Sequence, residues 1–243
     1  MKNKVAIITG ASVGIGRAVA LKMARNGAKL VLLDLNKEKL LSVEEEIKNL
    51  GASVLAIGCD VSDEKQVYSA VEKTIEQFGQ VDILVNNAAL WRNFEPFTEI
   101  SFDKWEKFIK INIMSVVYCT KAVLSHMIKN GYGRIVNVAS VAGVYGNANM
   151  SMYSATKGAV ISLTKALAKE VACSGVIVNS VAPGTVSPSE NDDANYFEKT
   201  DRCYAGRTGT AMENADLICF LASQTNGYVV GQNIQIDGSR RMV

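Results

Sequence analysis

Short runs of Val, Ile and Leu alternate along the chain with longer stretches in which apolar residues recur every three or four positions. The runs at Val5–Thr9, 29–33, 53–57, Ile83–Asn86, 134–138 and 176–181 are rich in Val, Ile and Leu and are bounded by Gly, Asp or Asn. Half-exposed strands alternate; unbroken runs suit strands buried on both faces of a parallel sheet. A last strand is expected at Asn233–Ile236. Between the runs, Asn36 can cap a helix that continues to Leu50 and stops at Gly51. Ser62 can cap another, with Val67, Val71, Ile75 and Phe78 on one face and Gly79 at its end. Helical periods also cover 17–26, 101–129, 151–173 and 213–222.

Strand–helix–strand alternation with right-handed crossovers predicts an α/β fold, a doubly wound parallel sheet of the Rossmann type. The regularity breaks at 185–206, which is rich in Ser, Asp, Asn and Glu and has Tyr196, Phe197 and Tyr204 as its main apolar groups. A loop of that length in a compact domain is expected to cover a substrate, as a lid poorly ordered on its own. Leu90, Trp91, Phe94, Val141 and Tyr145 are candidates for the opposite wall.

With 243 residues, 48% of them apolar, and only three prolines, the chain has no material for a linker, so a single domain over 1–243 is expected. A net charge of +2 gives no reason to expect a nucleic-acid or anionic-membrane partner. The apolar runs look too short and broken for a membrane span, and Met1-Lys2-Asn3-Lys4 leads directly into a strand with no signal peptide. Cys59, Cys119, Cys173, Cys203 and Cys219 are odd in number and lack CxxC spacing, as in a reduced cytoplasmic protein. His126 is the one histidine and has no Cys/His cluster around it, so no metal site is expected.

Candidate chemistry gathers at three places. Thr9-Gly10-Ala11-Ser12-Val13-Gly14-Ile15-Gly16 follows the first strand and opens a helix, where glycines let backbone approach a pyrophosphate and free N–H groups attract it. Its spacing, Gly-x3-Gly-x-Gly, differs from the Gly-x-Gly-x2-Gly fingerprint. Asp34 ends the second strand, where a carboxylate can accept from both ribose hydroxyls of an adenosine and repel a 2′-phosphate. Neither Val13 nor Leu35 offers a compensating cation, which favours NAD(H) over NADP(H). Asp60-Val61 ends the third strand and can meet the adenine; Asn86-Asn87-Ala88-Ala89 ends the fourth with small residues beside the cofactor.

Tyr153 and Lys157 are spaced to share a helix face. A tyrosine with its ordinary pKa of about 10 is a poor base near neutrality, and a neighbouring ammonium would lower that value. Ser140, at the end of Asn137-Val138-Ala139-Ser140, can hydrogen-bond a substrate oxygen. Asn112 is a poor helix former within a helical stretch and has a better use holding a water behind Lys157.

In order and spacing, Thr9-Gly10-x3-Gly14-x-Gly16, Asp60-Val61, Asn86-Asn87-Ala88, Asn112, Ser140, Tyr153-x3-Lys157 and Pro183-Gly184 resemble the short-chain dehydrogenase/reductase family over essentially the whole chain. The resemblance implies an enzyme interconverting a secondary alcohol and a ketone, with Tyr153 as general acid/base and Ser140 polarising the carbonyl. Lys157 would hold the nicotinamide ribose, Asn112 a relay water, and Pro183, Gly184 and Val186 would pass along the nicotinamide. Two departures stand out: Ala89 where the family often has Gly, and Pro188 where it often has a threonine. Similar subgroups are 3-oxoacyl-(acyl-carrier-protein) reductases, commonly NADP-dependent, and sugar-alcohol and hydroxysteroid dehydrogenases. A non-catalytic nucleotide-binding member is the other alternative, and a homo-oligomer, tetramer or dimer, is implied.

Overall fold

The computed structural model describes residues 1–92, 94–187 and 193–241. Seven parallel strands, β1 (Val5–Thr9), β2 (Lys29–Asp34), β3 (Val54–Gly58), β4 (Ile83–Asn86), β5 (Gly133–Val138), β6 (Val176–Pro183) and β7 (Asn233–Ile236), form one sheet. Their order is β3-β2-β1-β4-β5-β6-β7. The chain winds outward from β1 in one direction, then restarts at β4 on the other side. That makes β1/β4 the switch point, outside whose carboxyl ends ligands bind in open α/β sheets.

Helices cover both faces: α1 (Gly14–Arg25), α2 (Lys37–Asn49), α3 (Glu64–Phe78), α4 (Phe102–Ile109), α5 (Ser115–Lys129), α6 (Ala142–Tyr145), α7 (Ser151–Val171) and α8 (Ala211–Leu221). Side chains of one strand divide between two cores. Ala6 and Ile8 pack with α1, α2 and α8, while Ile7 packs with α3, α5 and α7. Leu30 and Leu32 oppose Val31 and Leu33 in the same way. Burying each such side chain stabilises the fold by roughly 1.5–3 kcal/mol, which is why these runs are apolar at every position instead of every second one. Cys59, Cys119 and Cys219 are buried free thiols in these layers; burial pushes Cys119 and Cys219 up to about 12, so they serve as packing groups.

Three expectations need correction. The cap of α3 is Asp63, whose Oδ1 accepts from Lys65 and Gln66 N–H at 2.9 and 3.4 Å. Ser62 is instead buried, its N–H donating to Asp60 Oδ1 at 2.9 Å in a turn that hands the cap position on by one residue. The 101–129 stretch is two helices joined through a π-helical turn, Lys110–Met114, which re-aims Asn112 inward. Finally, Phe102–Lys129 is by length and hydropathy alone apolar enough to cross a membrane. Over its most apolar 18 residues 44% is buried inside the protein, and Cys119, Ala122, Val123 and Met127 of α5 pack in the core against the sheet.

Candidate active site

The parallel sheet brings Gly10, Asp34, Asp60, Asn87, Ser140 and Gly184, each just past a strand, to one edge. At the β1–α1 turn, Gly10 and Gly14 have φ of +63° and +55°, the left-handed region. A Cβ on Gly16 would lie 2.0 Å from Gly10 O, so only hydrogen fits where the helix crosses its own turn. Around Gly14 a Cβ would meet nothing within 4 Å, leaving the backbone open to an approaching group. Helix α1 begins at Val13, which supplies no side-chain cap, and its first turn has no acidic residue. By contrast Asn36, Asp63 and Thr210 cap their helices. An uncapped helix start with a glycine face suits a phosphate, so these residues fit a dinucleotide.

The neighbouring loops hold the turn. Thr9 Oγ1 accepts from the N–H groups of Asn87 and Ala88 at 2.9 and 3.0 Å, and Asn87 Nδ2 donates to Thr9 O and Gly10 O, both at 3.0 Å. Asn86 is buried beneath, donating to Asn137 Oδ1 at 2.9 Å, while Asn137 donates to Thr164. Asp34 is fixed by Ser12 N–H on one oxygen (3.1 Å) and Asn36 N–H on the other (2.8 Å). Ser12 is buried, Ile15 is partly buried against the core, and Val13 and Leu35 are exposed and bring no charge. Val61 is buried below Asp60, and Ala88 and Ala89 are half-buried past β4.

On the other side of the switch point, Lys157 is fully buried and its Nζ donates to Val138 O at 2.6 Å. Burial pushes its ammonium down to about 8. The Tyr153 ring centroid lies 5.8 Å from that nitrogen; Ser140, whose Oγ accepts from Ala142 N–H at 3.1 Å, is the neighbour that draws the Tyr153 hydroxyl towards its ionised form. Contrary to the expected depression, burial raises Tyr153, and the counteracting influence is Ser140, not Lys157. The lysine's own desolvation weakens it as a source of positive charge.

Asn112 is buried, and its side chain brackets Leu90: Oδ1 accepts from Leu90 N–H at 2.8 Å, and Nδ2 donates to Leu90 O at 2.9 Å and Thr156 Oγ1 at 3.1 Å. That side chain clamps the strand-end loop onto α7. Nothing in the sequence reading singled out Gly143, yet a Cβ there would come within 2.5 Å of Lys157 C and 2.6 Å of Gly158 N. The pair Gly143 and Gly158 lets α6 lie on the turn of α7 that carries Lys157, a signal legible only as two glycines in helical context.

Past β6, Val141 N–H donates to Pro183 O at 3.1 Å and Gly184 N–H to Ile236 O at 2.8 Å, while Val186 bridges to Gly209. Of the 185–206 loop, residues 188–192, with Pro188, lie outside the described residues. The described remainder has more anchors than expected: Glu198 N–H to Thr208 Oγ1 (2.9 Å), Thr200 N–H to Gly206 O (3.0 Å), Tyr204 N–H to Ser239 O (2.9 Å), and a buried Cys203. A cleft of about 540 Å³ opens here; Phe94 and Tyr145 line it, Leu90, Trp91 and Val141 do not. Tyr204 and Phe197, expected to face substrate, lie under the guanidinium groups of Arg241 and Arg207 at 5.0 and 5.2 Å.

A glycine-lined, uncapped helix start and a hydroxyl pair over a buried amine, set on either side of one switch point, define a nucleotide-dependent oxidoreductase site. Residues 4–199 match the short chain dehydrogenase family model, and the chain belongs to that family. It is similar to the 3-oxoacyl-(acyl-carrier-protein) reductase of Thermotoga maritima, 39% identical over 241 residues that cover 98% of each chain. Among solved structures, an NAD+-bound xylitol dehydrogenase superposes with TM-score 0.91 at 32% identity, covering 98% of this chain and 99% of the other. A levodione reductase gives 0.90 at 33%, covering 98% and 97%. The chain is therefore an oxidoreductase working between an alcohol and a carbonyl with a nicotinamide dinucleotide, NAD(H) or NADP(H).

Proposed function

We propose that the protein interconverts a small secondary alcohol and its ketone with NAD(H), using Tyr153, Ser140, Lys157 and Asn112. The observation that carries this reading is the Ser140–Tyr153 hydroxyl pair above buried Lys157 at the carboxyl end of β5. The bound nicotinamide supplies or accepts the hydride. Ser140 donates a hydrogen bond to the substrate oxygen and orients it. Tyr153 donates a proton to that oxygen in reduction and takes it back in oxidation. Its raised pKa keeps the hydroxyl protonated near neutrality, which suits the reductive direction. Lys157 holds the ribose, Ser140 steadies the phenolate, and Asn112 keeps Leu90 and α7 in register while anchoring a relay water.

NAD(H) is favoured over NADP(H) because Asp34 is held in place by two backbone N–H groups, leaving oxygen lone pairs for ribose hydroxyls and a charge that repels a phosphate. Arg17, the nearest basic residue of α1 to the turn, is engaged by Glu46 at 2.5 Å. The pyrophosphate would sit against Gly10, Ser12, Val13, Gly14, Ile15 and Gly16; the adenosine against Asp34, Leu35, Asp60 and Val61; the nicotinamide half against Asn87, Ala88, Ala89, Pro183, Gly184 and Val186. The described part of 185–206 walls the substrate cleft through Thr185, Thr200 and Arg202. The exposed rings of Phe97 (68%) and Phe102 (86%) at the start of α4 support a homo-oligomer, dimer or tetramer, which sedimentation would reveal.

Tyr153→Phe tests the mechanism. Turnover should fall about 10²–10⁴-fold with cofactor binding retained, and a loss smaller than about threefold would remove Tyr153 from the chemistry.

A further inference from the structure

The cleft past β6 and β7 carries charge that the hydride and proton steps leave unused. Arg202, Arg207, Arg240 and Arg241 line it, against one carboxylate among the described residues, Asp237. Arg207 is engaged, gripping Glu213 through Nη1 at 3.0 Å and Nη2 at 2.5 Å. The other three have no carboxylate partner among the described residues. Arg240 is half-buried and donates to the neutral Asn147 Oδ1 at 2.7 Å, with its guanidinium 6.0 Å from the Tyr145 ring. Arg241 lies over Tyr204.

Backbone pairing concentrates this charge. Cys203 bridges antiparallel to Arg240, and Arg241 N–H donates to Arg202 O at 2.9 Å, so Arg202 and Arg241 stand opposite each other on adjacent irregular segments. Like charges so placed repel. In a chain with a net charge of only +2, that arrangement is not a by-product of composition. Clustered guanidinium forks in a concave site match a carboxylate or phosphoryl group and focus its approach.

The dinucleotide's own phosphates do not answer this charge. They belong with α1 at β1, and a 2′-phosphate with Asp34 at β2, whereas the cleft is bounded by Gly184 and Asp237, past β6 and β7 on the opposite side of the sheet. The walls of this cleft are continuous along the chain with the segments that carry Ser140 and Tyr153. Gly184 and Thr185 follow Pro183, which bonds Val141 next to Ser140, and Asn147 to Met150 lead into the first turn of α7 with Tyr153.

We propose that the substrate is a compact secondary alcohol or ketone bearing an anionic group, carboxylate or phosphoryl, which Arg240 holds together with Arg202 and Arg241 while Ser140 and Tyr153 engage the reacting oxygen. This rests on the reaction proposed above and names its substrate class. Matched pairs test it: short hydroxy acids and keto acids against their primary amides, and hydroxyalkyl phosphates against the free alcohols, each with NAD(H). One anionic series should exceed its neutral partner about 10–100-fold in kcat/KM, and the series that does so identifies the group. Raising KCl should erode the preference. Arg240→Met should reduce the ratio at least about tenfold, and the more exposed Arg241→Gln should reduce it less, which covers a folding defect in the first variant.

Calorimetric titration of succinate and of inorganic phosphate into the protein reads the site without turnover, and Arg240→Met should weaken whichever binds. Equal turnover of anionic and neutral partners, or a ratio untouched in both variants, overturns the proposal and leaves the alcohol–ketone reaction standing. Arginine variants that change the sedimenting mass but not the ratio overturn it too, by assigning the charges to a subunit contact. Arginine-dependent anion binding with no turnover of any alcohol or ketone keeps the anion site and sinks the reaction reading.

Discussion

The two sides of the switch point are built on different principles. At the β1–α1 turn the determinants are backbone: Gly16 fits only as glycine, Gly14 is open, and Thr9, Asn87 and Asp34 spend their side chains holding main-chain groups. At the β6–β7 side the determinants are side chains on irregular segments, with Arg202, Arg240 and Arg241 joined by isolated bridges instead of a ladder. The first region presents dipoles in a rigid frame and suits a ligand shared by many enzymes. The second presents full charges on loops, where substitution alters specificity without disturbing the sheet.

That contrast predicts steric sensitivity at one end and chemical sensitivity at the other. The largest effect should come from Gly16→Ala. Its methyl must displace Gly10 O, destabilising the fold by about 1–3 kcal/mol and misplacing the turn enough to weaken NAD(H) binding by about 10²-fold. Fluorescence titration and thermal melts would check this; wild-type affinity would show the turn to be compliant. Next, Asp34→Ser should shift the NAD(H)-to-NADP(H) ratio of kcat/KM by about 10–100-fold towards NADP(H), the effect expected of one charge-assisted hydrogen bond. An unchanged ratio would end the argument from Asp34. Gly143→Ala should be smaller again in binding but selective for kcat, because its methyl presses on Lys157 and Gly158 far from the adenosine. Comparing kcat with KM for cofactor separates it from Gly16→Ala.

The difference between the regions also governed what could be read from the residues. Runs rich in Val, Ile and Leu revealed the inner strands, whose two faces each meet a core, as Ile7 and Ile8 illustrate; edge strand β7, Asn-Ile-Gln-Ile, has an exposed Gln235 and a weaker pattern. The glycine turn was legible because close approach leaves only glycine. Errors arose where one residue competes with its neighbour for a local role: Ser62 lies buried in the turn that Asp60 closes on its N–H, and the carboxylate of Asp63, next along the chain, accepts from the first free N–H groups of the helix. The Thr210 cap with Glu213, a Thr-x-x-Glu signature, was present and passed over. The π-turn around Asn112 has no composition signal, and the helix period runs through it undisturbed. The arginine cleft was invisible for another reason. Its charges are scattered from Arg202 to Arg241, and only the pairing of Cys203 with Arg240 gathers them.

The smallest effect concerns Lys157, which lies between the two regions, and its sign separates site from fold. Burial lowers its pKa from the ordinary 10.5 to about 8, while burial raises Tyr153. Ketone reduction needs Tyr153 protonated and Lys157 charged, so kcat/KM for reduction should be flat up to about pH 8 and decline above it as Lys157 loses its proton. Stability should move the other way. Between about pH 8 and 10.5 the unfolded chain keeps this proton and the folded chain has lost it, so the contribution of Lys157 to stability rises with pH. The difference in unfolding free energy between wild type and Lys157→Met isolates that contribution, because the thiols, which titrate in the same range, cancel. Activity undiminished to about pH 10 with that difference flat over the same range would mean that Lys157 is not desolvated, and that an ordinary ammonium sits under Tyr153.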